Sequence, residues 1–306
     1  MSDRVKQQEV VIQHYFFPRL SITVTPIPKA GGTSLLRFFI ATEAELEHHG
    51  SISQNFIDTQ EQRYSEIMPW GQDGRRFRIL ASPATQDAST LSVTVVRNPF
   101  QRLGSAWLNK FFMSSSIRAM RNIRETRWNF QVDSVSMRDA FERFVTELSE
   151  RESVLARDGH LRAQSDYVDG ASQTSLFVGL HYLDDLPRML QEYVAVDRIA
   201  ELLMPHENAS QTGLSRLLWT EASLRTAESV YGNDFQMIAS LAHKFPRLTS
   251  ELKRPDTVVS EPPMLIAERD VLMLYLTRIQ WAYTVARTEN KRLVRLINEM
   301  SKSGNE

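Results

Sequence analysis

Hydrophobic positions along this chain switch repeatedly between the two-residue period of strands and the helical period. Residues 20–27 are β-prone and stop at Pro26 and Pro28, whose rings cannot donate to a central ladder, so a strand is predicted to end there. Thr33 to Glu47 places Leu35, Leu36, Phe39 and Ile40 on one helical face. Residues 48–76 are polar and show no clear period. Arg78-Ile79-Leu80 is a short strand candidate. Leu91–Val96, LSVTVV, is the clearest strand and has the character of a parallel strand buried on both faces. Arg97-Asn98-Pro99 ends it, and a helix is predicted from Gln101 to Phe112. Residues 116–157 read as helical, with Met137, Phe141, Phe144, Val145 and Leu148 at helical spacing. A polar loop covers 158–174, Leu176–Leu180 is another buried-strand candidate, and helices are predicted over 183–195, 220–230 and 234–243. Pro255, Pro262 and Pro263 mark a linker before a long helix at 264–300.

Alternating strand, loop and helix predicts an α/β fold: a mainly parallel sheet flanked by helices, helix-rich, with a long C-terminal helix. The expected division is a domain over 1–254 and an appendage over 255–306. In that last helix Leu272, Leu276, Ile279, Tyr283, Ala286, Asn290, Leu293, Ile297 and Met300 alternate steps of four and three, a heptad seam with Asn290 at an a position. Val294 and Leu296, apolar where charged partners would flank a coiled coil, favour packing back on the same domain. A homodimer through this helix is the alternative.

Composition narrows the classes. The 306 residues are 42% hydrophobic and 24% charged, as in an ordinary soluble globular protein. A formal net charge of −1 gives no global field toward nucleic acid or an anionic membrane, so anion binding must come from local clusters. The absence of cysteine excludes disulfides, thiolate metal sites and cysteine nucleophiles, and fits a reducing compartment. The first residues, MSDRVKQQEVV, lack the apolar stretch of a signal peptide, and no apolar run reaches membrane-spanning length, so no span is expected.

Two stretches carry chemistry. Ser21–Leu36, SITVTPIPKAGGTSLL, joins a strand to a helix through a lysine, two glycines and two hydroxyl residues. Backbone amides at a helix N-terminus, with the positive end of the helix dipole, form an anion cradle. The nucleoside-triphosphate version places its lysine after the last glycine, whereas Lys29 precedes Gly31 and Gly32. That order resembles the 5′-phosphosulfate loop of sulfotransferases that use 3′-phosphoadenosine 5′-phosphosulfate (PAPS). The second stretch, Val95–Phe111, resembles the 3′-phosphate motif of the same family, with Arg97 at a strand end and Ser105 eight positions later on the next helix. Ser105-Ala106, Trp107 and Lys110-Phe111 bring it close to the carbohydrate branch.

Weaker similarities follow. Asp158–Ser165 resembles the family's histidine-to-glutamine loop, with Ala163 where proline is usual. Phe177–Leu186 resembles a strand motif whose usual glutamate is replaced by His181. Pro205–Ser210 and Tyr231–Phe235 resemble two further motifs, so the likeness spans roughly residues 20–240.

The resemblance implies a P-loop-like fold and in-line transfer of a sulfuryl group from PAPS, as co-substrate, to a hydroxyl or amine, with a carbohydrate or glycoconjugate acceptor and no metal. It implies Lys29 at the leaving group, the backbone of Ala30, Gly31, Gly32, Thr33 and Ser34 around the 5′-phosphate and sulfate, and Arg97 and Ser105 at the 3′-phosphate. His160 is the first choice of general base, against its reading as a structural loop residue. His48, His49, Glu43, Glu45 and Glu66 lie between the two motifs, where related enzymes often keep that base, and His206 reads as structural. Arg118, Arg121, Arg124 and Arg127, followed by Trp128, form a basic stripe that suits an anionic acceptor or is a solvated face. The lack of signal or anchor points to a cytoplasmic, bacterial-type enzyme without nucleic-acid partners. A nucleotide-dependent kinase is disfavoured by the lysine order, and a non-catalytic nucleotide-binding or scaffold protein is the alternative from a different class.

Overall fold

The computed structural model describes residues 12–67, 77–80, 90–108, 134–150, 155, 158–168, 175–205 and 218–255. The C-terminal heptad helix, the arginine stripe at 118–127 and the His206 motif lie outside the described residues. In chain order the elements are β1 (His14–Phe17), β2 (Ile22–Thr25), α1 (Gly32–His49), α2 (Gln54–Glu66), β3 (Arg78–Leu80), β4 (Leu91–Val96), α3 (Pro99–Trp107), α4 (Ser134–Glu150), α5 (Ser165–Val168), β5 (Ser175–Gly179), α6 (Leu186–Leu190), α7 (Glu221–Val230) and α8 (Gly232–Lys244). Short 3₁₀ segments cover Leu180–Asp185, Ile199–Glu201 and Pro246–Leu252.

The sheet has five strands in the order β3-β1-β2-β4-β5. Its parallel heart is as the sequence predicts: β4 pairs in parallel with β2 and with β5. β1 and β3 extend it antiparallel on the β2 side, so the whole sheet is mixed. All six residues of β4 are buried, as its central place requires.

Three apolar clusters fix the layers. On one face Ile22, Val24, Val93, Val95, Leu176 and Val178 pack against Leu35, Leu36, Phe38 and Phe39 of α1. Val96 and Phe177 meet Ile238 of α8 and Leu248 of the last 3₁₀ segment in another cluster. Phe100, Leu103 and Trp107 of α3 form a separate helical core with Phe141 and Phe144 of α4, Trp219, and Leu224 of α7. The rings of Phe141 and Trp219 meet edge-on with centroids 4.8 Å apart. Among the described residues no helix is long and apolar enough to cross a membrane.

The parallel strands β2, β4 and β5 all end on the same side of the sheet. Lys29, Arg97 and Gly179 therefore emerge at one edge, where ligands bind in open α/β sheets.

Candidate active site

The turn after β2 is held by its alternate residues. Ile27 and Ala30 are buried in the core, and the Ala30 amide donates to the Ile27 carbonyl at 3.1 Å. Pro28, Lys29, Gly31 and Thr33 stay partly exposed on the outer side. Lys29 has φ +67° and Gly31 φ +77°, both left-handed. That conformation is uncommon for a lysine and concentrates at functional sites. Two left-handed residues within three turn successive amides toward one point, the geometry of an anion nest.

The missing Cβ atoms of the two glycines serve the packing of the turn. A Cβ on Gly31 would stand 2.9 Å from Leu180 Cδ1 and 3.2 Å from Leu183 Cδ2, and one on Gly32 would stand 3.1 Å from Pro26 Cβ. Both glycines thus let the turn lie close on its own core, beneath β5's exit and β2's end. The open side of the turn belongs to backbone amides.

α1 begins at this turn with no side-chain cap and no acidic residue in its first turn. Leu35 is the first amide bonded back, to the Gly31 carbonyl at 2.9 Å. The amides of Gly31 to Ser34 therefore precede any intrahelical acceptor and carry the positive end of an 18-residue helix dipole. These features fit a bound phosphate or sulfate.

Arg97 reaches the same turn. Its Nη1 donates to the Lys29 carbonyl at 3.0 Å, across 68 positions of sequence. Arg97 is only 6% exposed, and burial pulls its pKa down to about 10, with nearby Arg102 acting in the same direction and Glu251 opposing. At neutral pH the guanidinium is still charged, a buried cation beside an amide nest. Arg102, one turn into α3, donates from Nε to the Pro28 carbonyl at 3.0 Å and from Nη2 to the Gly159 carbonyl at 3.3 Å. One guanidinium therefore holds together the turns that carry Lys29 and His160. Ser105 sits one turn beyond Arg102 on α3, 5% exposed.

The weaker motifs explain themselves here. The buried Gln164 side chain acts as a strand neighbour to Arg97: its Oε1 accepts the Arg97 amide at 3.0 Å and its Nε2 donates to the Arg97 carbonyl at 2.8 Å. Asp234, fully buried, accepts the Ser165 amide at 2.9 Å, and Tyr231 donates to the Leu161 carbonyl at 2.7 Å. The histidine-to-glutamine loop and the Tyr231–Phe235 motif are thus one network that fixes the backbone of Arg97.

His160 lies in that loop, one-third exposed, with its ring Nδ1 3.0 Å from Asp158 Oδ1. The other candidate bases lie elsewhere. Glu43 accepts the amide of Arg19, in the β1–β2 turn at the opposite end of β2 from Lys29. Glu45 accepts the amide of Ser53, which caps α2. His48 and His49 close α1, about 25 Å along the helix from its glycine start. Glu66 is exposed at the end of α2 and accepts from Gln62 at 3.1 Å.

The sequence reading missed two residues, Arg102 and Glu251. Glu251, in the 3₁₀ segment Pro246–Leu252, is fully buried; it accepts the Asn98 amide at 2.7 Å and His181 Nδ1 at 2.8 Å. A Cβ on Gly179 would meet its Oε1 at 2.8 Å, so that glycine makes room for the carboxylate. Among the described residues no cluster of three histidines or carboxylates could hold a metal ion.

A family model described as "Sulfotransferase family" matches residues 13–237. No curated protein and no solved structure matches the chain.

Proposed function

Since the chain belongs to the sulfotransferase family, we propose that it transfers a sulfuryl group from PAPS to a hydroxyl or amine of a carbohydrate or glycoconjugate. The observation that carries this reading is the joining of three distant turns by two arginines: Arg97 to the Lys29 carbonyl, and Arg102 to the carbonyls of Pro28 and Gly159. This joining of the Lys29 turn, Arg97 and the His160 loop supports assigning them to the 5′-phosphosulfate, the 3′-phosphate and the acceptor.

When bound, the donor supplies the sulfuryl group and leaves as adenosine 3′,5′-bisphosphate (PAP). The residues of the chain divide the remaining work. Backbone amides from Gly31 to Ser34 hold the 5′-phosphate and sulfate oxygens at the positive end of α1, whereas the Ala30 amide, expected to join them, is taken by the Ile27 carbonyl. Lys29 brings its ammonium to the negative charge that gathers on the departing oxygen. Arg97, with Ser105, holds the 3′-phosphate through a fixed fork and a hydroxyl. His160 accepts the acceptor's proton as the new S–O bond forms and the bond to the bridging phosphate oxygen breaks. Positioning and electrostatics supply the acceleration, by analogy with phosphoryl transfer, and no step needs a metal.

The test is a screen of acceptors with ³⁵S-labelled PAPS, run on the full chain and on Lys29→Ala. Label should move to a glycan acceptor, and the variant should lose on the order of 10²–10³ in turnover while keeping its melting temperature. Near-normal transfer by the variant, or label transfer to no acceptor at all, contradicts the reading.

A further inference from the structure

The reading above uses His160 without the group behind its ring. Asp158 Oδ1 accepts the His160 backbone amide at 2.8 Å and lies 3.0 Å from His160 Nδ1. A carboxylate oxygen can only accept, so the proton of the neutral imidazole sits on Nδ1, and Nε2 is the basic nitrogen. The Asp158 side chain is 13% exposed against 34% for His160, so the carboxylate is the inner member of the pair. The turn beneath them is closed by the Leu161 and Arg162 amides, which donate to the Asp158 carbonyl at 2.9 and 2.8 Å. The Gly159 carbonyl between them takes Arg102 Nη2 and the Tyr167 hydroxyl. The ring therefore stands on a frame tied to the same arginine as the Lys29 turn.

We propose that Asp158 is the positioning residue for the general base: it fixes the imidazole tautomer, leaves Nε2 as the basic nitrogen and stabilises the imidazolium once the acceptor's proton arrives. This rests on the assignment of His160 as base. The atoms balance without a co-reactant. The proton moves from acceptor oxygen to His160 Nε2, Nδ1 keeps its own proton, and Asp158 stays a carboxylate throughout. The surrounding charges are mixed. Arg102 donates to the Gly159 carbonyl beside the ring, and Arg162 is paired to Asp166 at 3.0 Å. Asp158 is the carboxylate that touches the imidazole, so its removal sets the sign of the change.

The experiment is a pH titration of the full chain, labelled with ¹⁵N and ¹³C at its seven histidines, followed by NMR in the wild type and in Asp158→Asn. In parallel, release of PAP from PAPS is measured with a mixture of desulfated glycosaminoglycans as acceptor. Neutral His160 is expected as the Nδ1–H tautomer in the wild type. Asp158→Asn should mix the tautomers, lower the pKa of His160 alone among the histidines, and move the acid limb of turnover to lower pH. Turnover should fall about tenfold to a hundredfold at unchanged KM for PAPS, part of what a general base contributes. In a His160→Ala background, Asp158→Asn should change turnover no further. An Nε2–H tautomer in the wild type overturns the proposal without any acceptor. Turnover lost in His160→Ala but intact in Asp158→Asn overturns the role of Asp158 and spares that of His160. Turnover intact in His160→Ala overturns both.

Discussion

Lys29 stands where stability and chemistry pull apart. Its left-handed φ of +67° costs a non-glycine residue of order 1–2 kcal/mol, which glycine would not incur. Lys29→Gly should therefore melt at the same temperature as the wild type or above it, while losing sulfuryl transfer. A calorimetric scan beside a transfer assay checks this, and a clear fall in melting temperature would show that the lysine side chain also holds the turn. Glu43 is a buried carboxyl distant from the chemistry. It is 3% exposed, and burial pushes its carboxyl pKa above the ordinary 4.5, against the pull of the Arg19 and Leu20 amides and the Arg19 charge. The folded state then holds this proton more tightly than the unfolded chain, so stability declines as pH rises from about 4.5 through the raised value. In Glu43→Gln that part of the slope should vanish. Relative to the wild type the variant should gain melting temperature between pH 4.5 and 8, and a constant difference across that range would refute the linkage. At this scale the Lys29 turn and its glycines stood out because turn chemistry is local in sequence, and Arg97 stood out through the resemblance. Arg102 and Glu251 were not, because what marks them is a carbonyl or amide 57 to 153 positions away.

Elements were legible in proportion to the length of their pattern. β4 and the long stretch of α1 read directly, since β-branched density and an apolar face leave one interpretation. β1 did not: its four residues, HYFF, sit before a turn at Pro18–Ser21 with none of the Asn-Gly or Asp-Gly signals of a tight hairpin. It is those antiparallel partners that make the sheet mixed. α2 lay in a segment read as polar because its buried face is a single row, Phe56, Gln60 and Tyr64, one residue per turn. The 3₁₀ segment Pro246–Leu252 matters most for the site, because it delivers Glu251 to the ends of β4 and β5 from outside the family match. A chain ending at residue 255 should fold cooperatively and bind PAP. A chain ending at residue 245 strands the Asn98 amide and removes Leu248 from the core, and should lose cooperative unfolding. Equal behaviour of the two chains, followed by circular dichroism and calorimetry, would place the end of the domain earlier than we do.

For the molecule as a whole, the near-neutral net charge leaves anion binding to local clusters, and among the described residues an uncapped helix start, a buried guanidinium and the Lys29 turn meet at the strand-end edge. Fold class was legible because strands and helices alternate along the chain. Convergence of the site was legible only through the resemblance, since nothing local ties residue 29 to residues 97 and 160. The most direct measurement is isothermal calorimetry of the full chain with PAP, with adenosine 5′-phosphate, and with ATP and magnesium, repeated on Arg97→Ala. Our account expects PAP to bind most tightly, the ligand lacking a 3′-phosphate to bind at least tenfold more weakly, and Arg97→Ala to erase that difference. Equal affinity for PAP and adenosine 5′-phosphate in the wild type, or a preference for ATP with magnesium, would contradict it.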